Sequence, residues 1–235
     1  MYKNLISDLN KAVNIKKARI LAGFFKTKKG DYGEGDAFLG ITVPKQRKIA
    51  KGYINLGLRD IQRLLNNKYH EYRLVALIIL IEKYLKADKD LKKQIVTFYF
   101  KNAKGKNINN WDLVDLSAPK ILGDYLFDKE KKVLYDLAGS NYLWERRIAI
   151  LTTFYFIRKK RFVDTLKISE ILINDKHDLI HKAVGWMLRE VGKRDLAKEI
   201  NFLNKFSKVM PRVMLRYAIE KFSKTERQKY LIKNK

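Results

Sequence analysis

Cysteine is absent from this 235-residue chain. That removes disulfides, thiolate zinc sites and thiol nucleophiles. Proline occurs three times, at Pro44, Pro119 and Pro211, and the twelve glycines are scarce outside loops. Strand-like alternation is nearly absent too. The longest apolar run, Leu74 to Ile81, is far too short to span a bilayer. No single helix has the basic, Trp/Phe-faced pattern of a membrane-surface anchor. The first ten residues carry no apolar run after Lys3, so they do not read as a signal peptide. A soluble cytoplasmic protein is the expectation. Acidic residues are in deficit: 25 Asp and Glu stand against 51 Lys and Arg, a formal charge of +26. That imbalance attracts polyanions, and nucleic acid is the favoured partner. The lysines run along the whole chain, which suits a broad surface or groove better than a disordered basic arm. A lysine-rich composition shared by many proteins of one genome would also raise the charge.

What remains is helical periodicity. Apolar residues recur at three and four positions. Leu5, Leu9 and Val13 mark a first helix, and Ala18, Leu21, Ala22 and Phe25 a second. Lys29 to Asp36 reads as a glycine-rich loop. Its Gly33-x-Gly35 is not a phosphate loop, because no strand precedes it and no Gly-Lys-Ser/Thr follows. Thr42 and Pro44 open the next helix. Helices then follow over roughly 44–57, 58–66, 70–86, 88–101, 111–126, 129–138, 142–159, 161–173, 177–192, 195–205, 210–221 and 224–232. The polar stretch from Asn102 to Asn107 reads as the loop before the Trp111 helix. No break is long enough for an interdomain linker, so 1–235 is expected to form a single domain.

Four helices share a basic residue followed by a small alanine and apolar positions. They contain Arg73 and Ala76, Arg147 and Ala149, Lys182 and Ala183, and Arg216 and Ala218. The later alanines recur at intervals in the mid-thirties, and the first interval is about twice as long, with Ala118 falling inside it. Two helices per unit of this period predict an all-α HEAT-like or TPR-like α-solenoid of stacked helical pairs with a concave basic groove. Arg73, Arg147, Lys182 and Arg216 would line that groove, and a duplex would fit it.

Several residues carry possible chemistry. Trp111 and Asp115 stand four apart, so a helix stacks them on one face, where an indole and a carboxylate can hold a cation. Asp112 would support the N-terminal end of that helix. Trp186 follows Gly185, which either opens space beside the indole or lets helices approach closely. Trp144 suits the core. Of the adjacent Arg146 and Arg147, helical geometry turns only one toward a groove, and the repeat selects Arg147 for a bidentate phosphate contact; a salt bridge to a neighbouring helix is the other use. His177 and His181 have a four-residue spacing known from metal sites, but no third ligand is identifiable, and a helix-start role fits better. No serine lies in a nucleophile-elbow context.

Five ordered segments resemble one family. They are Phe24 to Ile41; Asn110-Trp111-Asp112-Leu113-Val114-Asp115; Trp144 to Ala149; Lys182-Ala183-Val184-Gly185-Trp186-Met187-Leu188-Arg189-Glu190; and Met210 to Ala218. Together they are similar to the AlkD-like DNA alkylation-repair glycosylases, HEAT-like-repeat proteins that excise alkylated purines. The resemblance covers nearly the whole chain. It implies that Asp115 is the catalytic carboxylate, that Trp111 and Trp186 flank the lesion, and that Arg147 contacts the DNA backbone. Arg146 stands as the alternative arginine, and Phe24 falls at an aromatic contact of the family. Lys182 and Arg216 join the DNA-binding set from the repeat.

The implied activity is metal-free and cofactor-free hydrolysis of the N-glycosidic bond of 3-methyladenine and 7-methylguanine in duplex DNA by a monomer. Such bases carry a positive charge and leave readily. A carboxylate at the sugar stabilises the developing oxocarbenium character and orients water. No lysine stands out as a Schiff-base nucleophile, so lyase activity is not expected. A non-catalytic protein for damaged or branched DNA and a protein–protein scaffold are the competing readings.

Overall fold

The computed structural model describes residues 1–232. Among them there is no strand, only an isolated parallel bridge between Ala37 and Tyr69. The chain forms two compact units, Met1–Ser117 and Ala118–Lys235. The architecture is all-helical, compatible with an α-solenoid.

The first unit holds α1 (Tyr2–Asn10), α2 (Ile15–Phe24), α3 (Val43–Lys51), α4 (Leu58–Leu65), α5 (His70–Lys86), α6 (Lys89–Lys104) and most of α7 (Trp111–Ala118). Its centre is α5. Every residue from His70 to Ile81 is buried, so this helix is apolar nearly all round, as a helix enclosed by neighbours must be. It packs against α3, α4 and α6. Side chains from the preceding residue position two helix starts: Asn14 Oδ1 accepts from Lys17 N at 2.9 Å and Asp88 Oδ1 from Leu91 N at 2.8 Å.

The segment between α2 and α3 has little regular structure, and α5 holds it. The buried Glu71 carboxylate accepts from the backbone N–H groups of Leu39, Gly40 and Ile41 at 2.9, 2.7 and 3.2 Å. Gly40 has φ +78°, and a Cβ there would meet Ala18 N at 2.6 Å. Glycine therefore permits both the turn and the approach of α2. That helix itself buries no residue, and leaves Ile20 and Phe24 exposed.

Three spans differ from the periodicity, and the first is the helix expected over 44–57, which runs only from Val43 to Lys51 before a turn at Gly52. Asn102 and Ala103 are not loop residues. They are buried inside α6, with Asn102 exchanging hydrogen bonds with Gln62 and donating to the Phe98 carbonyl at 2.9 Å. A polar residue satisfied inside a fold is indistinguishable by composition from a loop residue. The long helix expected over 111–126 is interrupted. Pro119 has no N–H to donate, and Pro119–Gly123 adopts a π-helical turn.

That turn opens the second unit, followed by α8 (Asp124–Leu126), α9 (Lys132–Ala138), α10 (Leu143–Arg158), α11 (Val163–Ile171), α12 (Asp178–Gly192), α13 (Leu196–Phe206), α14 (Arg212–Ala218), a 3-10 turn (Ile219–Lys221) and α15 (Lys224–Ile232). Here α12 packs against both α10 and α14, while α11 and α13 lie against their neighbours in the chain. The alternation is that of stacked helical pairs. The recurring alanines Ala149, Ala183 and Ala218 are all buried, as are Ala76 and Ala118. Gly185 resolves toward close packing: a Cβ there would collide with the Met214 carbonyl and come within 2.6 Å of Tyr217 Cβ, so its absence sets the α12–α14 approach.

Candidate active site

In the first unit the start of α7 sits on a network built from four segments. Asn110 is fully buried. Its Oδ1 accepts from Trp111 N at 2.8 Å, and its Nδ2 donates to Asp36 Oδ2 at 3.1 Å. The half-buried Trp111 indole lies over the Phe25 ring, with centroids 5.2 Å apart and planes within 10°. Phe24 meets the same indole edge-on at 6.0 Å and is 62% exposed. Behind Phe25 come Phe38 at 5.0 Å and His70 at 4.9 Å. Phe25, with Phe24 beside it at the end of α2, is therefore part of an aromatic cluster under Trp111.

Asp112 does more than support a helix end. The His70 imidazole donates from Nε2 to Asp112 Oδ2 at 2.8 Å, and its Nδ1 lies 3.4 Å from Asp36 Oδ2. Asp36 is paired with Arg73 at 2.6 Å, and Arg73 also donates to Asn109 Oδ1. Two carboxylates and two cations thus balance in a buried cluster. Burial alone would pull His70 down, but Asp112 and Asp36 outweigh it and raise the imidazole to about 9. Burial likewise disfavours the Asp36 anion, yet His70, Arg73 and Asn110 together hold it below the usual carboxylate range. Arg73 is only 5% exposed and committed to Asp36, so it does not join a row of exposed basic side chains.

Asp115 follows one turn after Trp111 and is half-buried. Its neighbourhood includes the fully buried Tyr99. The Tyr99 hydroxyl donates to Ser117 Oγ at 2.8 Å, and Ser117 in turn donates to the Leu113 carbonyl at 2.5 Å. Burial pushes the phenol well above its ordinary value, and the negative charge of Asp115 pushes in the same direction. Tyr99 is therefore a fixed neutral wall, not a proton source.

In the second unit Trp186 is half-buried on α12, with Phe154 5.5 Å away. Arg147 is 5% exposed, and its Nη1 donates to the Leu179 carbonyl at 2.5 Å. Arg146 pairs with Asp175 at 2.6 Å and donates to the Ser140 carbonyl. Lys182 pairs with Asp178 at 2.8 Å on the partly open face of α12, and Arg216 is exposed on α14. Trp144 is 3% exposed and belongs to the core. His177 Nδ1 accepts from Leu179 N at 3.1 Å, a helix-start role, and His181 contacts the Asp175 carbonyl. Among the described residues no group of three or more His, Asp and Glu is placed to hold a metal ion. No helix among them is long and apolar enough to cross a membrane.

The sequence pattern points to Trp111, Asp115 and Phe24 but not to Asp36, Phe25, Phe38 and His70 as their support. The adjacent Phe24-Phe25 pair, and a histidine opening the most apolar helix, are the signals that pointed there.

No curated protein matches the sequence. A solved structure described as a predicted DNA alkylation repair enzyme from Enterococcus faecalis is similar, with a TM-score of 0.70 at 17% identity, covering 90% of this chain and 97% of that one. At this identity the likeness shows the fold. The sequence itself matches the DNA alkylation repair enzyme family over residues 5–222. With a match of that extent, the chain belongs to the DNA alkylation repair enzyme family.

Proposed function

We propose that this protein is a monofunctional DNA glycosylase that initiates base excision repair of cationic alkylated purines, 3-methyladenine and 7-methylguanine among them. The observation that carries the reading is at α7. A half-buried indole is held flat on Phe25, and a half-buried carboxylate, Asp115, follows it by one turn. An indole face favours a cationic base by about 0.5–2 kcal/mol. Loss of that base leaves positive charge on the sugar, which a carboxylate stabilises while orienting the attacking water. Asp115 takes that role in the proposal. The base departs as a neutral purine, water supplies the hydroxyl of the abasic sugar, and the proton that water gives up passes by way of the Asp115 carboxylate to solvent.

Trp186 is proposed as the second indole at the lesion, in keeping with the family resemblance. Phe24, exposed beside Trp111, is proposed to touch the DNA strand. Lys182 and Arg216 are proposed to contact phosphates, and Arg146, the more accessible of the adjacent arginines, to contact the backbone; Arg147, 5% exposed like Arg73 and donating to the Leu179 carbonyl, is not proposed for that role. The net charge of +26 supports duplex DNA as the partner. The protein is proposed to act as a single-domain cytoplasmic monomer without metal or cofactor.

The test is release of 7-methylguanine and 3-methyladenine from methylated duplex DNA by wild type and by Asp115→Asn. Release by wild type, lost in the variant with DNA binding retained, is the predicted result. Binding without release by wild type would replace this reading with a non-catalytic protein for damaged or branched DNA.

A further inference from the structure

We propose that His70 is a positioning residue for the Trp111–Asp115 helix, holding α7 through Asp112 and supporting the indole through Phe25. The inference rests on the glycosylase reading for its kinetic consequence, on geometry for the positioning itself, and on the raised His70 imidazole for its pH dependence.

Four contacts meet on this one ring. Nε2 is 2.8 Å from Asp112, the residue after Trp111, and Nδ1 is 3.4 Å from Asp36 in the loop before α3. Its centroid lies 4.9 Å from those of both Phe25 and Phe38, with the Phe38 ring within 22° of parallel and the Phe25 ring tilted by 39°. Phe25 in turn carries the Trp111 indole. The ring thus couples the backbone position of α7 and the plane of its indole to one side chain of the most deeply buried helix. His70 is 2% exposed, so its orientation is set by the protein and not by solvent.

Packing alone does not fix this arrangement. A cavity of about 160 Å³ opens beside it, bounded in part by Ile20, Leu21, Phe25, Phe38, His70 and Asp112. An aromatic cluster next to such a space has room to tilt. What opposes tilting is the charged clamp of Asp36 and Asp112 on either side of the imidazole, with Arg73 fixing Asp36 from the same helix as His70. Glu71, next in sequence, is committed to the amides of Leu39, Gly40 and Ile41. Lys17 is the other charged side chain lining the cavity. The imidazolium donates to both carboxylates, whereas neutral imidazole has one N–H and can donate to only one of them, so that with the proton on Nε2 Asp36 keeps only Arg73 and Asn110. The clamp is therefore complete while His70 is protonated, and loosens as pH rises through about 9.

The test uses the full-length protein carrying 5-fluorotryptophan, with the Trp111 resonance identified as the one lost in Trp111→Phe. In His70→Asn that resonance is expected to shift or broaden. Single-turnover base release should fall about 10–100-fold, the scale of a misplacement of about 1 Å, while DNA affinity stays within about threefold. In wild type the Trp111 resonance should move between about pH 8 and 10, and this movement should vanish in His70→Asn. A folded His70→Asn with an unchanged Trp111 resonance overturns the proposal, whatever its rate. An unchanged rate with a shifted resonance overturns the kinetic consequence. If His70→Asn does not fold, Asp112→Asn carries the same two readouts. Absence of base release by wild type would refute the glycosylase reading, and the fluorine resonance would still decide the positioning role.

Discussion

Glu199→Gln should make stability less dependent on pH, and the direction follows from the surroundings of Glu199. This side chain is 2% exposed on α13, and one carboxyl oxygen, Oε1, has no hydrogen-bond partner. Gly192 leaves the space that its carboxyl group occupies: a Cβ there would lie 2.5 Å from Glu199 Cδ. Burial raises the carboxyl from 4.5 to about 8, with Arg189 offsetting part of the rise. The group is thus neutral in the folded protein at pH 7 and ionised in the unfolded chain. A raised value means that stability is fully present below pH 4.5 and is lost as pH rises through about 8. At about 1.4 kcal/mol per pH unit, the two limits differ by about 5 kcal/mol, and about 1–2 kcal/mol of that falls between pH 7 and 9. Glutamine keeps the shape and never ionises. Urea unfolding of both proteins from pH 5 to 9 is the assay. The wild-type curve should fall below that of the variant progressively with pH. Parallel curves would refute the assignment of a neutral buried Glu199.

Gly185→Ala should lower stability by about 1–3 kcal/mol, because the added methyl collides with the Met214 carbonyl and presses on Tyr217 of α14; a thermal melt unchanged from wild type would contradict this packing. Phe24→Ala should change unfolding free energy by less than about 0.5 kcal/mol, since the ring is 62% exposed, yet it should weaken binding to methylated duplex DNA. Equal binding by Phe24→Ala would remove that side chain from the proposed DNA contact.

Helices with a long apolar run or a regular apolar period were legible in the sequence. The run from His70 to Lys86 has the bounds that its apolar pattern predicts. The alanines at 149, 183 and 218 marked core positions because small residues are needed where paired helices approach. What stayed hidden were features determined by partners distant in sequence. Asn102 looks like a loop residue until Gln62 satisfies it inside α6. Arg73 counts as a surface cation until Asp36 meets it in the interior. Asp36, His70 and Asp112 carry no common motif, and only the folded chain puts one imidazole between the two carboxylates. Pro119 was visible, but its consequence was not: a missing N–H can end, kink or widen a helix, and here it accompanies a π-helical turn. At the candidate site, Trp111 and Asp115 were readable because four-residue spacing is local. The aromatic cluster under the indole was not, because Phe25, Phe38 and His70 reach it from separate segments.

The most direct test of the central claim is quantitation of free 7-methylguanine released from methylated duplex DNA by wild type and Asp115→Asn under single-turnover conditions. Release by wild type and a loss of at least about 100-fold in the variant are expected, the scale set by removing charge stabilisation of a transition state, with the DNA still bound. Undiminished release by Asp115→Asn, or none by wild type, would contradict the claim.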